Sequence, residues 1–213
     1  MFSPPMVRAM LAGRKTQTRR LAWQHLAYLD AVEGTGKGFG ATLWQSVKPG
    51  DRLWVREPFM VDGSALVYAA DGREFAHTSS CDQRGLDLWQ KITDGRYKTP
   101  RPARWMPKWA NRLVLTVWQT RIERVQEISD EDALAEGILP AFVKGRTMYA
   151  NFGAWAYDDR NMYASIDAIA PTAHLAYGKL WDELHGNGAW ASNREVVAMS
   201  YEVERRNIDR EPA

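Results

Sequence analysis

The sequence predicts a mixed α+β protein, a small twisted and partly closed β-barrel with flanking short helices and long loop insertions. Three observations predict it. The longest strand signal runs from Arg112 to Arg124, where Leu113, Leu115 and Val117 alternate. A second, Glu195 to Arg205, alternates Val197, Met199, Tyr201 and Val203. The helical signals are all short. With 45% hydrophobic and 25% charged residues over 213 positions, the chain can bury a substantial core, and one domain with insertions at 71–99 and 139–169 is expected.

Pro4 and Pro5 suit the first turn of a helix, and Met6, Val7, Met10 and Leu11 give it an apolar face until Gly13 ends it. Gly13 to Arg20 then gathers Arg14, Lys15, Arg19 and Arg20 with the hydroxyls of Thr16 and Thr18. Such a density of cations suits an anionic or phosphodiester-linked ligand, and it equally suits a solvated basic patch. A guanidinium holds phosphate or carboxylate with two donors, whereas a lysine amine gives up its proton when desolvated, so Lys15 is the better group for proton transfer. A strand here places Lys15 and Thr18 on opposite faces, and a turn brings them together. Leu21 to Val32 reads as weakly helical, and Glu33 to Gly40, with its four glycines, as a loop.

Lys48-Pro-Gly-Asp51 signals a turn into a half-buried strand, Arg52 to Glu57, with Leu53 and Val55 inward and Trp54 and Arg56 on the other face. Glu57 either pairs with a cation of the opening motif or caps a sheet edge. Ala65 to Ala70 is a further strand closed by Asp71-Gly72, and Asp71 to Thr99 reads as a polar, irregular elaboration outside the core. Lys98 to Lys108 interleaves Lys98, Arg101, Arg104 and Lys108 with Trp105, the adjoining Trp109 and prolines. Charge that holds phosphate beside a ring that stacks on a base suits single-stranded nucleic acid or a nucleobase, and the same pieces suit a rigid proline-rich lid.

Ser129 caps a short helix that carries Asp132 at its third position and runs to Glu136 before Gly137 stops it. At the end of a helix the backbone dipole disfavours a carboxylate. Glu136 therefore calls for compensation by a cation such as Lys15, a hydrogen bond or water, and a glutamate that simply faces solvent fits the sequence equally. Leu139 to Ile169 reads as a second surface insertion. Thr172 to Leu184 is a helix with Leu175, Leu180, Trp181 and Leu184 as its buried face and Gly186 after it.

Composition excludes several function classes. A net charge of only +2 excludes a histone-like neutraliser of long DNA and confines any nucleic-acid affinity to local patches. Cys81 is the only cysteine, so neither an intrachain disulfide nor a multi-cysteine metal site is expected, and a reducing cytoplasm is the natural compartment. His25, His77, His174 and His185 share no metal-ligand spacing, and no glycine-rich phosphate loop is present, so no metal and no cofactor are expected. No apolar run approaches the length of a membrane span, and no membrane partner is expected. The ten Trp and eight Tyr suit core anchors and base-stacking platforms alike.

Gly13-Arg-Lys-Thr-Gln-Thr-Arg19, Gly50-Asp-Arg-Leu-Trp-Val-Arg-Glu57, Met106-Pro-Lys-Trp-Ala-Asn-Arg112, Ile128-Ser-Asp-Glu-Asp-Ala-Leu-Ala-Glu-Gly137 and Leu180-Trp-Asp182 with the closing strand together resemble the ASCH domain family, in its elaborated phage and prophage form. The resemblance is spread from residue 2 to residue 205. It implies a PUA-like fold and a link to RNA. One bacterial branch of the family hydrolyses the amide of N4-acetylcytidine and related N4-acylated cytosines. That branch is much smaller than this chain and lacks its insertions.

Carried over residue by residue, the resemblance implies Lys15 as base, Thr18 as nucleophile or water-orienting group, and Glu136 as proton shuttle. Arg14, Thr16, Arg19, Arg20, Trp54, Glu57, Arg101, Arg104, Trp105 and Lys108 are the expected substrate- or nucleic-acid-binding residues. The expected partner is a modified nucleoside or RNA, with the oligomeric state left open. A noncatalytic RNA-binding or modified-base-binding module is the alternative.

Overall fold

The computed structural model describes residues 2–25, 39–94, 101–143, 145–150, 155–158, 161–164 and 169–210. In these residues the helices are α1 (Pro4–Leu11), α2 (Gln83–Thr93), α3 (Asp130–Ala135) and α4 (Ala173–His185). The first strands are β1 (Gln17–Leu21), β2 (Trp23–His25), β3 (Phe39–Ala41), β4 (Arg52–Trp54), β5 (Phe59–Asp62), β6 (Ala65–Tyr68) and β7 (Glu74–His77). They continue as β8 (Val114–Arg124), β9 (Leu139–Val143), β10 (Arg146–Ala150), β11 (Trp155–Asp158), β12 (Asn161–Ala164), β13 (Ile169–Ala170) and β14 (Glu195–Glu204). The fold is mixed α+β. Its four-stranded sheet, ordered β1-β14-β8-β4, is open, with helices beside it. No helix among the described residues is long and apolar enough to cross a membrane.

Two compact units are made from segments that alternate along the chain. One comprises Met1–Gly13, Arg52–Leu115 and Val203–Ala213, the other Arg14–Asp51 and Thr116–Glu202.

In the first unit, α1 starts on two prolines and buries Met6, Val7 and Met10. Its main cluster is Phe59, Leu66, Tyr68, Ala76, Ile92, Met106 and Ala110. The stretch after Asp71, expected to be irregular and outside the core, instead contains β7 and α2. Asp82 caps α2 by accepting a hydrogen bond from the Gly85 amide, and Leu88, Trp89 and Ile92 then bring one side of the helix onto the cluster. The strand expected over Arg52 to Glu57 ends at Trp54, before Pro58. Lys98 lies outside the described residues.

In the second unit, β14 is the middle strand. It pairs with β1 so that Thr18 faces Met199 and Arg20 faces Val197. Val196 to Tyr201 are all buried, because a strand with partners on both edges and cover on both faces does not alternate in burial. Leu21 to His25, expected to open a weak helix, is extended: Leu21 ends β1, and β2 pairs with β3. The remainder of that expected helix and most of the glycine-rich loop lie outside the described residues.

Ser129 caps α3 and Thr172 caps α4, each side-chain oxygen accepting the amide three residues on. The buried side of α4 differs from expectation. Leu180 and Trp181 are buried, but Leu175 and Leu184 are 45% and 49% exposed. The buried stripe is centred instead on Ala173, Ala176, Tyr177 and Gly178, small residues and one ring, with Gly178 lying directly under Trp190.

Candidate active site

Three backbone bonds and one helix end bring the opening motif to Glu136. The Thr16 amide donates to the Ala135 carbonyl at 2.8 Å, and the Tyr201 amide donates to the Thr16 carbonyl at 2.9 Å. These fasten the segment before β1 to the end of α3 and to β14. Glu136 is the residue that ends α3, its amide donating to the Asp132 carbonyl at 2.8 Å, and Gly137 turns the chain away with φ of 103°. Lys15 Nζ consequently donates to Glu136 Oε2 at 2.6 Å, to the Glu136 carbonyl at 2.8 Å and to the Gln17 carbonyl at 3.0 Å.

Lys15 is 2% exposed and Glu136 3%. These three acceptors suit the three hydrogens of an ammonium. The same ammonium also answers the helix-end problem, since it neutralises the carboxylate and caps the Glu136 carbonyl at the negative end of α3. Loss of water holds the Lys15 pKa below its ordinary value against the pull of Glu136, and the charges of Arg20 and Arg19 push in the same direction as burial. Desolvation beside a specific charge partner occurs at functional sites and in structural ion-pair networks alike.

Arg19 holds the other side of the carboxylate. Its guanidinium donates to Gln17 Oε1 at 2.6 Å, Glu123 Oε1 at 2.8 Å, Asp132 Oδ2 at 2.9 Å and Glu136 Oε1 at 3.3 Å. Arg121 donates to Glu123 Oε2 at 2.6 Å and also to Asp132. Gln17 Nε2 bridges Asp132 Oδ1 and Ser200 Oγ. Lys15, Arg19 and Arg121 thus face Glu123, Asp132 and Glu136, three positive groups against three negative ones. The hydrogen bond from Gln17 and the charges of Arg19 and Arg121 outweigh the desolvation of Asp132 and hold its carboxyl below the usual range. The Tyr177 phenol lies 3.4 Å from Glu136 Oε1, and burial together with that carboxylate pushes its pKa well up.

Thr18 lies within β1. Alternation puts it on the side opposite Gln17 and Arg19, and no described residue hydrogen-bonds its hydroxyl. Lys15 precedes the strand and escapes that alternation. The Gln17 carbonyl that receives Lys15 Nζ also receives the Tyr201 hydroxyl at 3.3 Å, and the register places Tyr201 on the Thr18 side of the sheet. The amine therefore sits at the margin of the sheet rather than wholly on one face.

Of the other expected residues, Arg14 and Thr16 are exposed, and Arg20 is half-buried with its guanidinium 5.6 Å from the centre of the Trp44 ring. Arg19, expected to meet a ligand, is 1% exposed and spent on internal carboxylates. Trp54, Glu57, Arg101, Arg104, Trp105 and Lys108 belong to the first unit. Trp54 packs against Arg56, and Lys108 pairs with Asp209. The partner of Glu57 is Arg112, not a cation of the opening motif. Arg112 Nε and one terminal nitrogen each donate to Glu57 at 2.8 Å, and its other nitrogen reaches Asp71 at 2.8 Å. Both ends of this fork come from the first unit, so Glu57 is satisfied locally.

Sequence reasoning missed Gln17, Glu123, Asp132 and Tyr177. One signal was present, since Asp132 and Glu136 are four apart on a short helix and so share a face. No protein-family model, curated protein or solved structure matches the chain.

Proposed function

We propose that the protein is an amidohydrolase that removes the acyl group from an N4-acylated cytidine or a related modified nucleobase, on a PUA-like barrel of the ASCH type. The observation that carries this reading is the 2.6 Å contact between two desolvated side chains, Lys15 and Glu136, that are 121 residues apart in sequence. Hydrolysis of an amide needs one group to take a proton from the nucleophile and another to give a proton to the leaving nitrogen. A buried amine and carboxylate in contact can trade a proton between them.

In this mechanism the Lys15 proton passes to Glu136 as substrate enters. The neutral amine takes the proton of a water, or of the Thr18 hydroxyl, as its oxygen bonds to the acyl carbon. Protonated Glu136 then gives its proton to N4 as the carbon–nitrogen bond breaks. Free cytidine leaves, and the ammonium and carboxylate are restored. On the water route the acyl group departs as the carboxylic acid, and on the Thr18 route a water then cleaves the Thr18 ester to release the same acid. Arg19 positions the carboxylate, and Arg14, whose side chain is exposed, faces the developing oxyanion.

Incubation with N4-acetylcytidine and chromatography of released cytidine tests the reading. Turnover is expected from the intact protein and at least a hundredfold less from Lys15→Met and Glu136→Gln, with Thr18→Ala separating a direct from an assisting role. A folded protein that releases no cytidine, or variants that retain turnover, would overturn it.

A second reading, a noncatalytic RNA-binding module, is favoured by one feature. Trp105 is 55% exposed, and the guanidiniums of Arg101 and Arg104 lie 5.3 and 5.9 Å from its ring centre. Salt-sensitive RNA binding that Trp105→Ala abolishes would support it.

A further inference from the structure

A cleft of about 530 Å³ in the first unit has no part in either reading. Its wall contains five arginines, Arg84, Arg112, Arg205, Arg206 and Arg210, against one acid, Asp209, and one ring, Trp109. Three of the arginines are balanced nearby: Arg84 by Asp82, Arg112 by Glu57 and Asp71, and Arg206 by Glu204. Asp209 itself is taken by Lys108. Arg205, which donates to the Leu11 carbonyl, and Arg210 form no ion pair with a carboxylate among the described residues, so the cleft keeps a surplus of positive charge.

The cleft is also held in shape. Asn207 Nδ2 donates to the carbonyls of Trp109 and Asn111, each at 2.9 Å, and the Ile208 amide donates to Asn111 Oδ1 at 2.8 Å. Arg52 reaches the Ile208 carbonyl at 3.0 Å from beneath the same segment. The residues after β14 are thereby clamped onto the 109–111 stretch, and the arginines they carry are presented in a fixed arrangement. Arg206 adds an unmet donor, because its Nε is buried and has no hydrogen-bond partner among the described residues.

We propose that this cleft binds the phosphate of a nucleotide, with guanidinium forks on the phosphate oxygens and the Trp109 ring beside the base. Planar forks match a tetrahedral oxyanion with two donors at a time, which a lysine cluster does not do. An aromatic ring in the same wall gives a base a surface to stack on. The phosphate can belong to a free mononucleotide or to a strand, and these two sources share the same chemistry. The inference does not rest on hydrolysis at Lys15 or on the Trp105 surface.

Calorimetric titration at low salt with inorganic phosphate, cytidine 5′-monophosphate and a short single-stranded oligoribonucleotide tests it, using the intact protein and the Arg205→Ala/Arg210→Ala double variant. Arg205 donates to the Leu11 carbonyl, whereas Arg210 is exposed and bonds through its backbone carbonyl. The single variant Arg210→Ala, which should leave the melting temperature in place, is therefore titrated beside the double variant and should also bind more weakly. Binding of the mononucleotide or the oligonucleotide is expected to weaken about tenfold or more in the double variant. Mononucleotide binding identifies a free nucleotide as the ligand, and binding of the oligonucleotide alone identifies a strand. For a strand, the dependence on log salt should also flatten by about one unit. No binding of either nucleotide probe, or binding undiminished in a double variant that melts like the parent, would overturn the site. Inorganic phosphate binding as tightly as the mononucleotide would overturn the nucleotide assignment.

Discussion

Glu136→Gln keeps the shape of the buried pair and removes half of its charge. Lys15 then keeps two carbonyl acceptors and loses the carboxylate 2.6 Å away, at a position only 2% exposed. An ion left without its partner in such a place costs about 3–5 kcal/mol. In a chain of this length that lowers the melting temperature by about 6–20 °C. Lys15→Met should cost somewhat less, since the carboxylate it leaves keeps Arg19 at 3.3 Å and Tyr177 at 3.4 Å. The double variant Lys15→Met/Glu136→Leu removes both charges and should lie closer to the parent than either single variant. Its residual cost, about 1 kcal/mol, comes from Arg19 and Tyr177, whose contacts with Glu136 at 3.3 and 3.4 Å are long ones.

Urea denaturation of the parent, Lys15→Met, Glu136→Leu and the Lys15→Met/Glu136→Leu double variant closes a cycle and gives the coupling energy, expected at about 3 kcal/mol or more. The pH dependence supplies an independent check. Burial puts the folded Lys15 pKa below its ordinary value of 10.5, so between those two values the unfolded chain binds more protons. Stability should therefore rise with pH across that window, and the rise should vanish in Lys15→Met. Single variants that each cost less than about 1 kcal/mol and add without coupling would refute the reasoning, because they would describe a solvated pair.

Three further outcomes follow from particular contacts. Asp132 is held below its ordinary value of 3.8, so the stability it contributes is present above that value and lost as pH falls through the folded one; Asp132→Asn should flatten this acid limb in a pH series of melting temperatures. Arg112→Met strands Glu57, which is 1% exposed, and should cost about 3–5 kcal/mol at neutral pH, with a smaller loss in acid where Glu57 takes up a proton. Gly178→Ala would set a methyl 2.9 Å from Trp190 Cε2, so it should destabilise by about 1–3 kcal/mol in denaturant titration.

Local signals made some of this structure legible. The prolines of α1, the Ser129 and Thr172 caps, and the glycines after α3 and α4 all act within a few residues, and sequence reports such effects directly. β1 was not legible because its inward side carries Gln17 and Arg19, which leaves no apolar alternation to read. α2 was hidden in a stretch dominated by polar residues, although Leu88, Trp89 and Ile92 carry helical spacing. The buried side of α4 was misread because leucines were weighted over alanines, whereas the small residues are what allow close packing under Trp190. At the site, a helix-end glutamate needing a cation pointed to Lys15. The Arg19 network depends on Glu123 and Asp132, 104 and 113 residues away, and no local pattern encodes such partners.

The most direct measurement on the central pair is a nitrogen–proton correlation spectrum of the lysine side chains near neutral pH. An ammonium sealed from water and bonded to three acceptors should give one sharp signal whose protons exchange slowly, and that signal should be missing from Lys15→Met and broadened in Glu136→Gln. A spectrum in which every lysine ammonium exchanges at the rate of a free side chain would contradict the account.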